Sequence, residues 1–439
     1  MAAASAAVVL PLIAAARPPG EPAAGAPDRP AAQAAAPMQS TTGNWVVKWQ
    51  PDNYANAISS LRTALKFRSG YTYTKLNELL LAANRTATQR CPRARSRQDN
   101  GALYDGVNPV NWFCLQDAAP NSDARTTRWM PQGVSGTSDA QQGGTVDGSR
   151  AFAFTWHHSG DSRSRVTFLN EEPQAGTSPQ YRHVLFVRPV MKGGKPDWEN
   201  VATHAGGLLW YHDYLLVADR ATGLLVFDMR NLWDMQQSSA WDRSATHFGR
   251  RSDGTYGTYG YRYVLPLIGQ WQTQLPNGGN LAPRCTSNKK SQPCYDYTGL
   301  DRSTSPPTML TGEFCNGNPD SSGCPGQTAR WTMETGNCTN GCLKHDASGV
   351  ARATAVYTQP GPYIQGGVSW NGVYYFTASN TRHALGTLYV DRPNVAPLRY
   401  QAGVGVQDLY WLRTNNRQLW SLTEFPGRYR RTLYGVSAP

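Results

Sequence analysis

The clearest pattern in this chain is a run of alternating apolar and polar positions that occurs twice. The segment His204–Arg230 reads HAGGLLWYHDYLLVADRATGLLVFDMR, and Gln365–Arg392 reads QGGVSWNGVYYFTASNTRHALGTLYVDR. Each contains short apolar runs separated by turn residues, as expected of consecutive antiparallel strands. The positions that coincide are Gly206-Gly207 with Gly366-Gly367, Trp210 with Trp370, Tyr214 with Tyr374, Ala218 with Ala378 and, after a three-residue insertion, Gly223 with Gly386 and Asp228 with Asp391.

Repeats of this size, each built of several strands, predict an all-β fold, a β-propeller. Every repeat opens with a small or glycine-rich segment, which suits an innermost strand crowded around a central channel. We predict five blades, or six if the irregular third one contains another. The predicted blades cover 129–190, 205–232, 261–333, 354–391 and 400–436. The rings of Trp210, Trp370 and Trp411 are expected to fill the space between blades.

The region before the repeats has a different periodicity. Apolar residues recur at helical spacing in Tyr54–Phe67 and in Thr74–Asn84. These patterns predict two short helices that pack on the propeller as an N-terminal extension. The expected organisation is an Ala/Pro-rich leader or linker over 1–43, an extension over 44–128, and the propeller over 129–439 with a Cys-rich insertion at 285–342.

Export from the cell is favoured by the N-terminus. Ala6–Ala16 is apolar and about as long as a signal-peptide core, although the positively charged segment that normally precedes such a core is missing. No later run reaches the roughly 20 apolar residues that a membrane span needs. A secreted, extracellular protein without a membrane span is therefore expected.

The even number of cysteines supports the same expectation. Eight cysteines in an exported chain indicate disulfides, and proximity in sequence suggests local pairs. The expected bridges are Cys91–Cys114, Cys285–Cys294, Cys315–Cys324 and Cys338–Cys342. Zinc binding by Cys338 and Cys342 with His345 is a weaker alternative, because the other cysteines lack the short paired spacing of a zinc site.

The chain is basic, with a formal net charge of +12, although only 16% of its residues are charged. A basic balance can indicate nucleic acid or another anionic partner. The densest clusters, at 90–97 and 428–431, lack regularly interleaved aromatic residues, and no nucleic-acid motif accompanies them. A nucleic-acid partner is therefore not expected.

Several segments resemble the repeats of secreted actinobacterial β-propeller proteins with LVIVD-like repeats. They read WMPQGVSGTSDA, YRHVLFVRPV, HAGGLLWYHDYLLVADRATGLLVFDMR and LWSLTEFPGR. The resemblance covers roughly the last 300 residues and not the helical extension. It implies a propeller fold and export, and it carries no catalytic motif.

Polar residues at two places in each repeat are candidates for a site at the mouth of the channel. The set that opens the repeats is Gln132, His204, Asp301, Gln365 and Gln407. The set that follows the next strand is Asp139, Asp219, Glu313, Asn380 and Glu424. Together these could bind Ca²⁺ through oxygen ligands or supply the acid and base of a glycoside hydrolase. They could equally close turns or bind channel water.

Single histidines and aromatic residues add further candidates. His204 is a candidate general base, whereas His157 and His158 should point to opposite faces of one strand. Tryptophan and tyrosine side chains stack on sugar rings. The aromatic candidates near blade edges are Trp129, Trp156, Tyr211, Tyr259, Tyr261, Tyr363 and Trp370.

Three functional hypotheses follow. The first is a lectin-like protein that binds an extracellular carbohydrate or glycoconjugate without changing it. The second is an extracellular hydrolase or lyase, in which Asp219, Glu313, Glu424 and His204 act in the channel, with no cofactor except Ca²⁺ in one version. The third is a protein-interaction platform that docks a partner through residues 44–90.

Overall fold

Five blades of antiparallel β-strands surround a central channel in the computed structural model, which confirms the predicted all-β propeller with five blades. The outer strands of blades one and two, Gln180–Lys192 and Tyr263–Thr273, pair parallel and join these two blades into one sheet. The model describes residues 35–439 except 53, 121, 174–176, 276–280, 282–284, 286–292, 317–325 and 414–416. Each blade has four main strands, numbered here from the channel outward. The innermost strands contact one another in a closed ring, with blade five against blade one.

The strands follow the order of the chain in the first four blades. Blade one consists of Trp129–Gly136, Ala151–His158, Ser164–Asn170 and Gln180–Lys192. Blade two consists of Leu208–Tyr211, Tyr214–Asp219, Gly223–Asp228 and Tyr263–Thr273. Blade three consists of Tyr297–Asp301, Thr308–Gly312, Gln327–Thr332 and Ala355–Thr358. Blade four consists of Ile364–Trp370, Val373–Ala378, Leu385–Asp391 and Leu398–Val404.

Blade five is completed by a strand from the start of the chain. Its first three strands are Val406–Leu412, Gln418–Thr423 and Thr432–Ser437. Its outermost main strand is Pro109–Cys114, which pairs antiparallel with Thr432–Ser437. The expected boundary between extension and propeller at residue 129 is therefore wrong, because part of the extension belongs to the last blade.

The expected blade boundaries were also displaced by one strand. The outer strands Tyr263–Thr273, Ala355–Thr358 and Leu398–Val404 close blades two, three and four, whereas the repeat pattern had assigned them to the blades that follow. Outer strands carry no glycine signature, and each directly precedes the next inner strand in the sequence. Nothing in the local pattern shows which of the two neighbouring sheets such a strand joins.

The internal repeat itself is confirmed by the strand registers. Tyr214 lies opposite Asp228 in blade two, and Tyr374 lies opposite Asp391 in blade four. The expected packing of the tryptophans also holds. Trp210 is fully buried with its ring 5.3 Å from that of Phe168 in blade one, and Trp370 stacks on Trp411 of blade five at 5.3 Å.

Glycines allow the inner strands to meet. A Cβ atom on Gly207 would lie 2.3 Å from the backbone nitrogen of Thr298 in blade three. A Cβ on Gly366 would lie 2.5 Å from Cα of Asp408 in blade five. No side chain fits at these distances, which explains the glycine-rich start of each repeat.

The two predicted helices are present at Tyr54–Ala64 and Leu76–Leu81, and a single helical turn follows blade one's inner strand at Thr137–Ala140. Leu61, Leu65 and Leu79 are buried in the same apolar cluster as Val184 and Leu185 of blade one. The extension therefore contributes to the core. The shorter strands outside the blades are Val46–Gln50, Arg85–Thr86, Thr88–Gln89, Lys195–Asn200, Trp233–Asp234, Trp241–Asp242, Phe248–Arg250, Tyr256–Thr258 and Val350–Arg352.

Three of the four expected disulfides are present: Cys91–Cys114, Cys285–Cys294 and Cys338–Cys342. The expected Cys315–Cys324 bridge involves Cys324, which lies outside the described residues. The first bridge attaches Cys91, in the middle of the extension, to the outer strand of blade five. Within the described part of the chain, no helix is both long and apolar enough to cross a membrane.

Candidate functional site

The channel has two ends that differ in their polar groups. We call the end where the inner strands begin the upper mouth, and the end where they finish the lower mouth. Loops between the second and third strands of each blade also lie at the upper mouth, because neighbouring strands are antiparallel. The described polar residues of the upper mouth include His157, Asp161, Thr203, His204, Asp219, Asp296, Glu313, Gln407 and Glu424.

Two histidines and an aspartate meet at the upper mouth. His157 lies near the end of the second strand of blade one, and Asp161 lies in the short 3₁₀ turn that follows it. His204 lies in the segment that leads into blade two. Asp161 Oδ1 is 2.6 Å from His157 Nδ1 and 3.2 Å from His204 Nδ1. The centroids of the two imidazole rings are 4.3 Å apart. We call these three residues the histidine cluster.

Acidic groups surround His204 in the histidine cluster and act on its charge. Burial opposes protonation of His204, but the hydrogen bond and charge of Asp161, with the charges of Asp296 and Glu424, raise its pKa. Burial also opposes ionisation of Asp161, yet its contacts with His157 and His204 lower its pKa. Blades one, two, three and five thus all contribute to the field at this point. The arrangement favours a positive charge at the centre of the mouth.

The expected carboxylates at this mouth are held by hydrogen bonds. Asp219 accepts from the hydroxyls of Thr203 at 2.9 Å and Thr222 at 2.5 Å. Glu424 accepts from Gln407 Nε2 at 3.0 Å. Glu313 accepts from the backbone nitrogens of Cys294 and Gln327, and burial raises its pKa to about 8. Asp219 and Glu313 therefore close the turns in which they lie.

The other candidate residues of the upper mouth are less available to bind a ligand. Gln132 and Gln407 are buried, whereas Gln365 is partly exposed. The side-chain amide of Asn380 donates to the carbonyl oxygen of Leu385 at 2.6 Å, which closes the loop of blade four. The hydrogen bonds of Asn380 and Gln407 fit a structural role, whereas the buried Nε2 of Gln132 has no hydrogen-bond partner among the described residues.

Asp301 and Asp139 lie at the lower mouth, so the expectation that they join the upper set is wrong. Trp370 also lies at the end of its inner strand, where its ring packs on Trp411. Asp301 ends the inner strand of blade three and accepts from Ser369 at 2.8 Å, with Arg330 at 3.2 Å. Asp139 is paired with Arg413 at 2.9 Å. The repeat pattern is degraded in blade three, which hid the fact that Asp296, and not Asp301, precedes the inner strand there.

Sequence reasoning missed Asp161 and Asp296 and gave His157 no ligand role. The alternation along the strand is as expected, because His157 faces His204 while His158 lies 5.1 Å from the ring of Trp129. A usable signal existed: Asp161 follows the second strand of blade one, as Asp219 follows the second strand of blade two.

A second candidate site lies on the outer side of blade one. It is a pocket of about 610 Å³ between the loop after Pro120, the outer strands of blade one and the segment before the last strand of blade two. We call it the arginine pocket. Its principal polar and aromatic lining residues are Arg85, Asp123, Arg128, Trp129, Arg165, Arg182, His183, Arg243, Tyr259, Tyr261 and Arg262.

Among the described residues that line the arginine pocket, one is acidic, and it is already neutralised. Asp123 is buried and forms ion pairs with Arg85 at 2.8 Å and Arg165 at 3.1 Å. It also accepts from the hydroxyl of Tyr181, and His183 Nε2 lies 3.0 Å away. Burial and the charge of Arg165 lower the pKa of His183 to about 3, so its ring is neutral at ordinary pH.

Three arginines of the pocket have no such partner. Arg128, Arg182 and Arg243 form no ion pair among the described residues, and Arg128 and Arg243 are exposed. Burial together with the charges of Arg262 and Arg85 lowers the pKa of Arg182. The pocket therefore carries uncompensated positive charge that an anionic ligand would relieve.

Aromatic rings line the same pocket. Trp129, Tyr259 and Tyr261 are partly exposed there. The guanidinium of Arg165 lies 4.3 Å from the ring centre of Trp129, and that of Arg163 lies 4.2 Å from the ring centre of Tyr259. These contacts hold the rings of Trp129 and Tyr259 in place, and Tyr259 is also stacked on Phe248 at 4.8 Å.

No protein-family model matches this chain, and no curated protein matches it with significant similarity. Functional inference therefore depends on the two sites described above.

Proposed function

We propose that this protein is exported and binds a negatively charged extracellular carbohydrate in the arginine pocket without changing it. The observation that carries the proposal is the combination, in one pocket, of three partly exposed aromatic rings with three arginines that lack acidic partners. Aromatic faces stack on sugar rings, and arginine forms paired hydrogen bonds with carboxylate or sulfate groups. The disulfides fit the oxidising compartment that an extracellular role implies.

The test first compares two polymers of the same sugar backbone, one charged and one neutral. Dextran sulfate and neutral dextran share a backbone, and polygalacturonate adds a carboxylated polymer. We expect the purified protein to bind dextran sulfate and polygalacturonate but not dextran in isothermal titration calorimetry. Salt should weaken binding, because the charge attraction is screened.

A matched pair of variants separates the pocket from the overall charge. Arg128→Ala with Arg243→Ala removes two cations of the pocket, and Arg352→Ala with Arg399→Ala removes two exposed cations elsewhere. We expect the first double variant to weaken binding about tenfold or more, equivalent to about 1.4 kcal/mol, and the second to change it little. Equal losses in both would mean that the net charge of +12 binds any polyanion, and the proposal would be abandoned.

Trp129→Ala tests the aromatic part of the pocket. Loss of a stacking ring costs about 0.5–1.5 kcal/mol beyond buried area, so affinity should fall severalfold while the salt dependence stays. Unchanged affinity in Trp129→Ala would argue against recognition of a sugar ring and would leave the pocket as a site for anions alone. Reducing sugar released from polygalacturonate is measured in the same samples, and its appearance would favour the hydrolase hypothesis instead.

The rival hypotheses have weaker support. Asp219 and Glu313 are held by hydrogen bonds within the fold, which leaves only Glu424 and His204 of the four expected acid and base candidates. Residues 44–90 bury apolar side chains such as Leu61 and Leu79 in the propeller core. The buried part of their apolar surface is therefore not available to dock a partner, although Leu81 is exposed.

A further inference from the structure

The histidine cluster has the composition and spacing of a metal site. One ligand atom from each of His157, Asp161 and His204 lies within 4.8 Å of the others. Ligand atoms around a tetrahedral ion at about 2.0–2.1 Å are about 3.4 Å apart. The observed separations of Asp161 Oδ1 from the two histidine nitrogens, 2.6 and 3.2 Å, are shorter than this, so Asp161, whose side chain is 49% exposed, would move outward on binding an ion.

A second observation points to a missing ligand. The side chain of His157 is only 8% exposed, and neither of its ring nitrogens forms a hydrogen bond of normal geometry with any described residue. A buried polar group that lacks a hydrogen-bond partner destabilises the folded protein. The short contact of Nδ1 with Asp161 does not meet hydrogen-bond geometry, whereas an ion between the two groups would satisfy both.

The donor atoms select the type of ion. Calcium and magnesium are bound by oxygen ligands, whereas imidazole nitrogen is preferred by zinc and its neighbours among the transition metals. The acidic groups Asp296 and Glu424 add negative charge at the same point, which favours a cation. Three protein ligands leave at least one coordination position for water or another ligand, as in zinc sites that are not purely structural.

We propose that His157, Asp161 and His204 bind one Zn²⁺ ion at the upper mouth of the channel. The site joins two blades, since His157 and Asp161 belong to blade one and His204 leads into blade two. An ion that binds only the folded protein stabilises it. Zinc should therefore raise the melting temperature as well as bind stoichiometrically. This proposal is independent of sugar binding in the arginine pocket.

The test uses the disulfide-intact protein without a polyhistidine tag, treated with a chelator and then titrated with Zn²⁺ alone by calorimetry near pH 7.5. We expect one Zn²⁺ per chain and a higher melting temperature. Replacement by Co²⁺ should give visible d–d absorption of low-coordinate cobalt with nitrogen and oxygen ligands. Wild-type protein that is folded but binds no Zn²⁺ would overturn the proposal.

Variants locate the ion. His204→Ala and Asp161→Asn change partly exposed side chains, so they should fold, and each should weaken zinc binding by about 100-fold or more, since even the loss of an outer-shell contact costs 10–100-fold. His247→Ala is the matched control, because His247 also contacts an aspartate, Asp242 at 2.8 Å, but no second histidine. Retained affinity in His204→Ala and Asp161→Asn, or equal loss in His247→Ala, would show that zinc binds elsewhere.

Discussion

Leu433 lies opposite Phe113 in blade five, so the last strand of the chain is paired with a strand that precedes blade one. This pairing closes the ring of blades through backbone hydrogen bonds. It also makes the propeller dependent on residues far from its repeats, because removing the outer strand would expose an edge of blade five.

Phe113→Ala should destabilise the joint between the first and last blades. Phe113 is fully buried, with its ring 5.8 Å from Trp420 and 6.0 Å from Phe152 of blade one. We expect the free energy of unfolding in urea to fall by about 3–5 kcal/mol, the usual cost of such a cavity. Leu398→Ala, at a side chain that is 57% exposed, serves as the control and should change little. Similar losses of stability in both variants would contradict a special role for the joint between the first and last blades.

The Cys91–Cys114 bridge should contribute more stability than the Cys338–Cys342 bridge. The bridged cysteines are 23 residues apart in the first case and 4 in the second. Loop-closure entropy predicts about 3 kcal/mol for the longer loop and about 2 kcal/mol for the shorter one. Paired Cys→Ala variants can be compared by urea unfolding, and the reverse order would argue against anchoring of the outer strand by the first bridge.

Gly207→Ala should prevent close contact between the inner strands of blades two and three. The added Cβ would lie 2.3 Å from the nitrogen of Thr298, and backbone cannot move aside as a flexible side chain can. We expect a loss of about 3 kcal/mol or more, at the upper end of overpacking costs. Gly143→Ala is the control because a Cβ there meets no atom within 4 Å. Calorimetric melting of both variants measures the two losses of stability and tests this prediction.

The free energy of unfolding should decrease as the pH is lowered, because of His183. Burial and Arg165 lower its pKa from 6.5 to about 3, so below pH 6.5 the unfolded chain binds a proton that the folded chain does not. The free energy of unfolding then decreases by up to about 1.4 kcal/mol for each pH unit between these two values.

His183→Gln isolates that contribution. Other groups that titrate in the same range are common to both proteins, so the difference in slope reports the histidine. We expect the variant to lose less stability than the wild type when the pH is lowered from about 6.5 to about 4.5. Parallel curves would show that His183 takes up its proton equally in the folded and unfolded states, against the lowered pKa.

Much of the fold could be read from the residues. The alternation in 204–230 and its repetition in 365–392 predicted the strands, and the glycine pairs predicted the crowded inner ring. The spacing of Leu61, Leu65 and Leu79 predicted helices with a buried face. These features are local, since a strand or helix forms its hydrogen bonds and its apolar face from residues within a few positions of one another.

The assignment of outer strands and the make-up of the sites depended on contacts across the ring. Pro109–Cys114 has no repeat signature, and only its pairing with Thr432–Ser437 places it in blade five. His157 meets His204, and Asp296 replaces Asp301 at the upper mouth, because chain direction decides which end of a strand faces which mouth. The arginine pocket likewise combines the loop after Pro120 with strands of two blades. One sequence carries no signal linking such distant positions, whereas packing in three dimensions brings them together.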